Sequence, residues 1–447
     1  MINILTYNAV PDGKTLNTEI IQQAIDDLAS RGGGTVVVPS GVYVTGTIWL
    51  KNNVELHLEM GAVLKGSTDL ADYCTADDFQ QNAFSTVEQW NGAHLIVGLE
   101  VNNVAITGPG TIDGSAPDFF EEELAPFRPR FTWAKGLRLA KDKVNLRPGQ
   151  MCAFYESSNI RIENLSLRNS CCWTIFLHGC NNAFISGIKI DNNPDNANTD
   201  GIDIDCCDSV IVSNCIINTG DDAITLRGNP KRLKDNAKIC QNIAITNCVL
   251  DCSVCAFRIG VGDGTITNAT ISNICIRHAA TGFLFQSAYW KPSTGTNISN
   301  ISISNIQAQD LAYPIRITSG AESATAQIKN ITISDFQADC YAHCDFSGSE
   351  ITQPRNITIR NCHFNIVKSP IKLLDPAEYP KAFLSIKRVD NIRFDNVTVN
   401  WDQSAEPTWK TVLHKDDSPV VFKDCILPEP PNFAKVEAEN DKSKPPA

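Results

Sequence analysis

The 447-residue chain lacks an excess of basic residues, because 38 Lys and Arg stand against 50 Asp and Glu and the net charge is -12 near neutral pH. Nucleic acids and anionic membranes bind positively charged surfaces, so this balance argues against either as a partner. The net charge argues less strongly against an acidic sugar as substrate. A local group of cations could still bind it, because the charge of the rest of the protein is screened over about 10 Å.

Long apolar segments are also missing. No stretch approaches the roughly 20 apolar residues of a membrane-spanning helix, and residues 1–7 do not join a basic segment to an apolar one. We therefore expect no signal peptide, no membrane contact and a cytoplasmic location. The 17 cysteines are an odd number with adjacent pairs at Cys171-Cys172 and Cys206-Cys207, which favours reduced thiols packed in a core over a disulfide framework.

A short phrase of alternating apolar and polar residues recurs along most of the chain, often with Asn at its ends. Copies begin at Asn103, Asn159, Ser209, Asn242, Asn300, Asn330, Asn356 and Asn391. Successive copies mostly start roughly 23 to 35 residues apart, a period typical of solenoids. Each copy is rich in β-branched residues with a period of two, which predicts a short strand.

One such strand cannot bury its apolar face alone, but stacked repeats form a continuous core. We therefore predict an all-β fold, a right-handed parallel β-helix. Asn at matching turns fits this fold, because Asn tolerates the left-handed conformation and its amide can bond to the Asn of the next coil. A β-propeller is the alternative, but the tight Asn-Gly or Asp-Gly hairpins that it would use are scarce between these strands.

The two ends of the solenoid need cover. Asn17 or Thr18 is predicted to cap a short N-terminal helix, which the glycines at 32–34 end. The apolar face of this helix comprises Ile20, Ile21, Ala24, Ile25 and Leu28. We predict one β-helix domain over residues 1–427, with its cap in about the first 40 residues. Residues 428–447 are rich in Pro and charge and are predicted to form a flexible tail.

Three aspartates lie in two clusters one repeat apart, at residues 198–201 and 220–222. Asp221 and Asp222 follow Asp200 by 21 and 22 residues, so stacking of adjacent coils would bring the carboxylates together. A group of carboxylates can supply the acid and the base that cut a glycosidic bond. Asp and Asn are also ordinary turn formers, and that alternative applies to each aspartate taken singly.

Further segments form a recognisable series. They are residues 12–13, 32–39, 50–54, 61–67, 110–114, 147–148 and 173–174, followed by the two aspartate clusters. In this order they resemble the polygalacturonase-like enzymes of glycoside hydrolase family 28, over roughly residues 1–400. The resemblance implies a right-handed parallel β-helix and hydrolysis with inversion at the anomeric carbon.

The resemblance also implies roles for the aspartates. Asp221 would be the general acid, and Asp200 and Asp222 would hold and deprotonate the attacking water. Crowding carboxyl groups keeps at least one protonated near neutral pH. An inverting pair requires a gap of roughly 6.5 to 9.5 Å. Since coils stack about 4.8 Å apart, side-chain reach and a lateral offset would have to supply the remainder.

The chain departs from the family pattern at two places. Cys255 stands where polygalacturonases of the family carry a histidine, and residues 282–286 replace an Arg-Ile-Lys phrase that grips a uronic carboxylate. A carboxylate would be desolvated there with little compensation. Rhamnogalacturonan hydrolases of the family also lack that histidine, so we expect a neutral or deoxy sugar next to the acid.

Six residues are predicted to bind substrate: Asn198, Arg227, Arg258, Gln286, Tyr289 and Trp290. Arg227 and Arg258 would bind a carboxylate in a neighbouring subsite, and Tyr289 and Trp290 would stack on a sugar face. Three residues that could lie near the cleft are interpreted as structural: Trp90, His94 and His178. No metal or cofactor is predicted. Two groups that could in principle hold a metal are interpreted as buried packing residues. They are the pair Cys252 and Cys255, and the group Cys340, His343, Cys344, Cys362 and His363.

The leading functional hypothesis is an inverting glycosidase that acts from the end of short pectic oligosaccharides. Insertions at 69–92 or 117–145 could block one end of the cleft. A lyase or epimerase is an alternative, in which Asp203, Asp205 and Asp208 would bind a cation. A carbohydrate-binding solenoid without catalytic activity is the other alternative.

Overall fold

The computed structural model describes residues 1–83, 85, 90–122, 147–289, 294–320, 323–369, 382–405 and 409–431. Two α-helices lie in this part of the chain, α1 at Thr18–Ser30 and α2 at Ala116–Phe119, with 3-10 turns at Ile4–Tyr7, Leu70–Asp72 and Pro230–Arg232. None of the described helices is long and apolar enough to cross a membrane.

The described strands number 31 and are labelled in chain order. Strands β1 to β10 are Ile2–Asn3, Asp12–Leu16, Gly34–Val38, Gly41–Thr45, Ile48–Trp49, Val54–Leu58, Ala62–Gly66, Ile96–Leu99, Asn102–Thr107 and Thr111–Asp113. Strands β11 to β20 are Cys152–Tyr155, Ser158–Glu163, Ser166–Arg168, Ile175–His178, Asn181–Ser186, Lys189–Asp191, Ile202–Asp205, Asp208–Ser213, Ile216–Thr219 and Ile224–Gly228. Strands β21 to β31 are Cys240–Cys252, Cys255–Gly262, Thr265–Gln286, Asn297–Thr318, Ile328–Cys340, Cys344–Ser347, Arg355–Ile366, Ala382–Lys387, Ile392–Trp401, Thr411–Lys415 and Val420–Lys423.

The strands wind into a right-handed parallel β-helix with three sheets, as predicted. Each coil adds one strand to every sheet: β15 pairs with β18 in sheet 1, β16 with β19 in sheet 2, and β14 with β17 in sheet 3, all in parallel. From β21 onward, several strands run through a corner and join two or three sheets. The propeller alternative is wrong, because its blades would be antiparallel.

Apolar side chains from the three sheets fill the interior in ladders. Ile185, Val212 and Ile245 follow one another in sheet 1 and are at most 1% exposed. Aromatic rings continue the interior stack, with Phe257 and Phe283 parallel at 5.2 Å between ring centroids. Burial of such side chains is the main source of stability for a solenoid.

The asparagines of the repeat lie at the turns and bond from coil to coil, as predicted. Asn103 donates to Asn53 Oδ1 at 2.9 Å, and Asn356 donates to Asn330 Oδ1 at 3.0 Å. All four have φ between 56° and 61°, the left-handed region that Asn tolerates. The ladders therefore fix the corners at the edges of sheet 1.

The N-terminal helix α1 covers the first coil with Ile21, Ala24, Ile25 and Leu28, while Ile20 is only partly buried. The predicted side-chain cap is wrong. Asn17 occupies the capping position, but its amide bonds to the backbone of Val10 through both its oxygen and its nitrogen. The Thr18 hydroxyl accepts from the Gly46 N–H instead, at 2.7 Å.

The structure describes all 17 cysteines, and none is paired in a disulfide. Cys252, Cys255, Cys340, Cys344 and Cys362 are at most 2% exposed, which agrees with the packing interpretation. Residues 432–447 of the predicted tail lie outside the described residues.

Candidate active site

The three aspartates lie at the corner where the chain enters sheet 3. Asp200 precedes β17, and Asp221 and Asp222 precede β20 on the next coil. The two corners are stacked by a backbone bond from the Gly201 N–H to the Asp222 carbonyl, at 2.9 Å. As a result, oxygen atoms of all three carboxyl groups lie within 4.8 Å of one another, so the predicted convergence is present.

This separation differs from the predicted gap of 6.5 to 9.5 Å. The nearest oxygens of the three groups therefore lie no further apart than about one coil spacing. A cluster this tight cannot carry three charges near neutral pH without strong repulsion, so its protons belong to the group as a whole.

Asp221 is the half-buried member of the cluster. Its two carboxyl oxygens accept from the Asn198 N–H at 3.1 Å and the Asp222 N–H at 3.0 Å. Burial and then the charge of Asp222 raise the pKa of Asp221 to about 7. Asp221 can therefore hold a proton near neutral pH and release it to a leaving oxygen.

Asp222 is only 3% exposed but has strong donors on both oxygens. The Cys255 N–H donates to Oδ1 at 2.9 Å, and Arg258 Nε donates to Oδ2 and forms an ion pair. Donors of this kind suit a charged carboxylate. Asp222 is thus equipped as the charged partner of Asp221.

Asp200 is 5% exposed, and its Oδ1 has no hydrogen-bond partner among the described residues. Burial, followed by the charges of Asp221, Asp203 and Asp222, raises its pKa well above the ordinary range. Asp200 therefore shares a proton with its neighbours, and its unpartnered oxygen is buried within the cluster.

A cavity of about 420 Å³ lies on the outer surface of sheet 3. None of the three aspartates lines it, but Arg227 of its wall follows Asp222 on the same coil. Aromatic side chains supply much of its wall: Trp90, Tyr155, Trp173, Phe176 and Tyr289. Its charged and polar lining includes His178, Asp205, Arg227, Lys231 and Arg232. Flat aromatic faces combined with fixed polar groups are suited to sugar rings.

Arg227 lies in the cavity wall, where it was predicted to bind substrate. Its guanidinium carbon is 4.1 Å from the centroid of the Trp173 ring, and Nη1 is 3.1 Å from Asp203 Oδ1. Burial raises the pKa of Asp203 to about 7, although Arg227 opposes this. Asp205 also lies near Arg227, with Nε and Oδ2 3.8 Å apart.

The predicted binding residues on the following coils surround Arg258. Its guanidinium carbon is 5.1 Å from the Tyr289 ring centroid, and Nη1 lies 3.5 Å from Gln286 Oε1. Asn198 lies on the other side of the cluster and contributes its backbone N–H to Asp221. Trp290 lies outside the described residues. The substrate-binding role of all six residues stays a prediction.

Part of the predicted insertion at 69–92 lines the cavity, through Gln81, Ala83, Ser85 and Trp90. The turn at 230–232 closes on it, because Arg232 donates to the Asn82 carbonyl. Most of the second insertion, from residue 123 to 145, lies outside the described residues.

His94, His178 and Trp90 were interpreted as structural. His94 is buried, and its two ring nitrogens lie 2.8 Å from the Gln150 carbonyl and 2.9 Å from Asn82 Oδ1. Burial lowers its pKa to about 4. Trp90 and His178 line the cavity, which that interpretation did not predict. His178 lies in β14 in register with Tyr155 and Asp205, so the alternation of the strand sets its side, whereas Trp90 lies outside the named strands.

The sequence reasoning missed Arg147 as a site residue. It is 1% exposed, donates to the Cys171 carbonyl and holds Asn198 Oδ1 at 3.0 Å. Arg147 thereby positions the segment whose backbone bonds to Asp221. The signal was present, since Arg147-Pro148 is one of the segments that carry the family resemblance.

A parallel β-helix with three converging carboxyl groups beside an aromatic cleft defines a class of carbohydrate-cleaving solenoids. Within that class, the chain belongs to the glycosyl hydrolases of family 28, whose family model matches residues 33–342. It is therefore a glycosidase of that family.

Relatives of known activity and structure agree with this membership. An exo-poly-α-D-galacturonosidase of Dickeya chrysanthemi is 27% identical over 455 aligned residues, which cover 92% of this chain and 72% of that protein. The family 28 exopolygalacturonase of Yersinia enterocolitica has a TM-score of 0.67 at 20% identity, covering 95% of this chain and 77% of its own. A hyperthermoactive exopolygalacturonase from Thermotoga maritima has a TM-score of 0.59 at 20% identity, covering 95% and 91%. The two structures share the fold of this chain.

Proposed function

We propose that the protein is an inverting glycosidase that removes sugars from the end of pectin-related oligosaccharides. The observation that carries the proposal is the carboxyl cluster, with oxygens within 4.8 Å of one another, beside a cavity of about 420 Å³. Asp221 would protonate the leaving oxygen, and Asp200 and Asp222 would hold and deprotonate the water. Exo-action is supported by the 69–92 segment in the cavity wall and by the names of the relatives.

The leaving-group side favours a neutral or deoxy sugar. Leu284 and Gln286 stand where the family's Arg-Ile-Lys phrase would present two cations, and Leu284 is 4% exposed. Arg258, the nearest cation, is bound to Asp222. A uronic carboxylate here would lose its hydration without a free positive partner.

The lyase alternative is less well supported. Asp203 and Asp205 face Arg227, while Asp208 accepts from Gln241 and Asn242 at a different corner. The three side chains therefore do not share a cation site. A solenoid that only binds sugars would not require three crowded carboxyl groups, which repel one another.

The test is a screen of pectic oligosaccharides, including rhamnose-containing ones, with the anomer of the first product followed by NMR. We expect release of a terminal sugar with inverted configuration. Retained configuration, which the short carboxyl separation would suit, would refute inversion. An unsaturated product that absorbs ultraviolet light would establish the lyase.

Asp221→Asn tests the acid directly. We expect turnover to fall by about 100-fold to 10,000-fold, the usual contribution of a general acid. Circular dichroism should show an unchanged fold. Wild-type activity in this variant would remove Asp221 from the acid role. The cytoplasmic location stays a prediction, which cell fractionation can test.

A further inference from the structure

Cys255 stands where polygalacturonases of the family carry a histidine, so Asp222 has no imidazole beside it. Cys255 donates its backbone N–H to Asp222, and its thiol, which is 1% exposed, interacts with the same carboxylate. Burial, and then the charge of Asp222, raise the pKa of this thiol well above its usual range. The thiol is therefore neutral and cannot balance the carboxylate.

Arg258 lies three residues further along the same strand, β22, and reaches Asp222 from there. It is in register with Thr225 on the preceding coil and Leu284 on the following one, so it projects from sheet 3 beside the cluster. Arg258 Nε forms the ion pair with Asp222, and the arginine is 9% exposed. Tyr289 covers the guanidinium and Gln286 lies at its edge.

These contacts fix the guanidinium on the carboxylate. A guanidinium held by a carboxylate, an aromatic ring and an amide has little freedom to turn toward a sugar. Side-chain exposures of 10% for Arg258 and 4% for Asp222 place the pair out of bulk water, where an opposite charge acts strongly.

We infer that Arg258 is a positioning residue that holds Asp222 as the charged carboxylate, so that the protons of the cluster stay on Asp221 and Asp200. This role rests on the proposed function and replaces the substrate contact predicted for Arg258. It also explains how a site with cysteine in the histidine position can keep distinct acid and base partners.

The other charged and titratable groups around Asp222 do not supply this balance. They are Asp200 and Asp203 from the preceding coil, Asp221 and Arg227 from the same coil, and Cys252, Cys255 and Tyr289 from the following coils. The carboxyl groups in this set repel the charge of Asp222. Arg227 is paired with Asp203. Removal of Arg258 would thus make the charged form of Asp222 less favourable.

Loss of Arg258 should favour the protonated form of Asp222. An opposite charge in contact favours the charged form of a carboxyl group. Without Arg258, the acidic limb of the activity profile, which requires an ionised base, should therefore move to higher pH.

The experiment compares wild type with Arg258→Gln and Arg258→Lys by 13C NMR of protein labelled at the aspartate carboxyl carbons. Asp221→Asn and Asp222→Asn assign the signals. Arg277→Gln is the matched control, because Arg277 forms an exposed ion pair with Asp251 on sheet 2. We expect the Asp222 signal to change at a higher pH in the glutamine variant than in wild type and by less in the lysine variant, with no change in the control.

Activity on the best oligosaccharide of the screen provides a second readout. The inference predicts a lower kcat and a raised acidic limb, with partial rescue in the lysine variant. An unmoved Asp222 titration, or a higher KM with unchanged kcat and pH profile, would overturn it and return Arg258 to substrate binding. If Arg258→Gln does not fold, Arg258→Lys still tests the titration.

The NMR titration does not depend on turnover, so it separates the two proposals. A shifted Asp222 signal in a protein without glycosidase activity would refute the proposed function alone. Full activity in Asp221→Asn together with a shifted Asp222 signal would refute the acid assignment and leave the Arg258–Asp222 coupling in place.

Discussion

Asp221→Asn should change the pH dependence of folding as well as turnover. The carboxyl pKa of Asp221 is raised from 3.8 to about 7 by burial and the charge of Asp222. The folded protein therefore keeps a proton that the unfolded chain releases. This contribution to stability is fully present below pH 3.8 and is lost as pH rises through about 7.

The size of this stability change follows from the difference between the folded and unfolded pKa values of Asp221. Each pH unit corresponds to about 1.4 kcal/mol, so about 3 units give an upper bound of about 4 kcal/mol. Asp221 is half-buried and shares its protons with Asp222, so about 2 kcal/mol is the more realistic change across the window. The variant does not titrate and loses this pH dependence.

The variant should also carry a constant cost. Both carboxyl oxygens accept backbone N–H groups, but the amide nitrogen of Asn cannot accept. One N–H loses its partner, at about 1 kcal/mol. Relative to wild type, Asp221→Asn should be less stable near pH 4 and more stable near pH 8.

Urea unfolding followed by tryptophan fluorescence at both pH values measures this reversal. Asp208→Asn is the control. Although burial opposes them, hydrogen bonds from Asn242, Ser209 and Gln241 lower the pKa of Asp208. The stability that a lowered pKa gives to wild type is present above the unfolded carboxyl pKa of about 4 and is lost only as pH falls below it, so the difference between this variant and wild type should be nearly the same at pH 4 and pH 8. An equal difference between Asp221→Asn and wild type at pH 4 and pH 8 would refute a raised pKa at Asp221.

Three further outcomes are expected. A chelator such as EDTA should leave activity unchanged, because the carboxyl cluster is proposed to act by proton transfer; a chelator-sensitive activity restored by a divalent cation would contradict this. Cys255→Ser should keep activity within a few-fold of wild type, since the backbone N–H that Asp222 accepts is retained and a hydroxyl can replace the thiol as a neutral donor. A loss comparable to that of Asp221→Asn would give the thiol a specific role. Phe283→Ala should cost about 3 to 5 kcal/mol of unfolding free energy, because the side chain is fully buried between Phe257 and Phe336; a cost below about 1 kcal/mol would mean that the interior repacks.

The sequence was sufficient to predict the coils and the meeting of the aspartates. The repeat has a period of two within strands and Asn at the corners, and local backbone chemistry determines both. Once the coils stack, Asp200 must lie next to Asp222, as the backbone bond between their corners shows. The capping of α1 was not predictable in the same way, because Asn17 could bond either to the helix or to Val10.

The distribution of charge inside the site was also beyond the sequence. The register places Arg258 beside Thr225 and Leu284, but only side-chain packing decides that it binds Asp222. The position of Trp90 depends on a segment with no repeating pattern, whereas that of His178 follows from the register of β14. The positions of residues that are set by the stacking of coils could be predicted. The contacts of residues that depend on side-chain rotamers could not.

The described cations at the cleft support the proposal of a neutral sugar on the leaving side. Arg227 pairs with Asp203, Arg258 with Asp222 and Lys231 with Asp263, and Arg232 donates to the Asn82 carbonyl. A substrate carboxylate would have to displace one of these protein partners and leave a buried or half-buried carboxylate without its cation. Breaking such a pair costs about 3 to 5 kcal/mol when it is buried, which is most of what a single sugar carboxylate could gain. The acidic sugars of a pectic fragment would therefore contribute most where the exposed ammonium of Lys231 lies, at the rim of the cavity, and least beside Asp221.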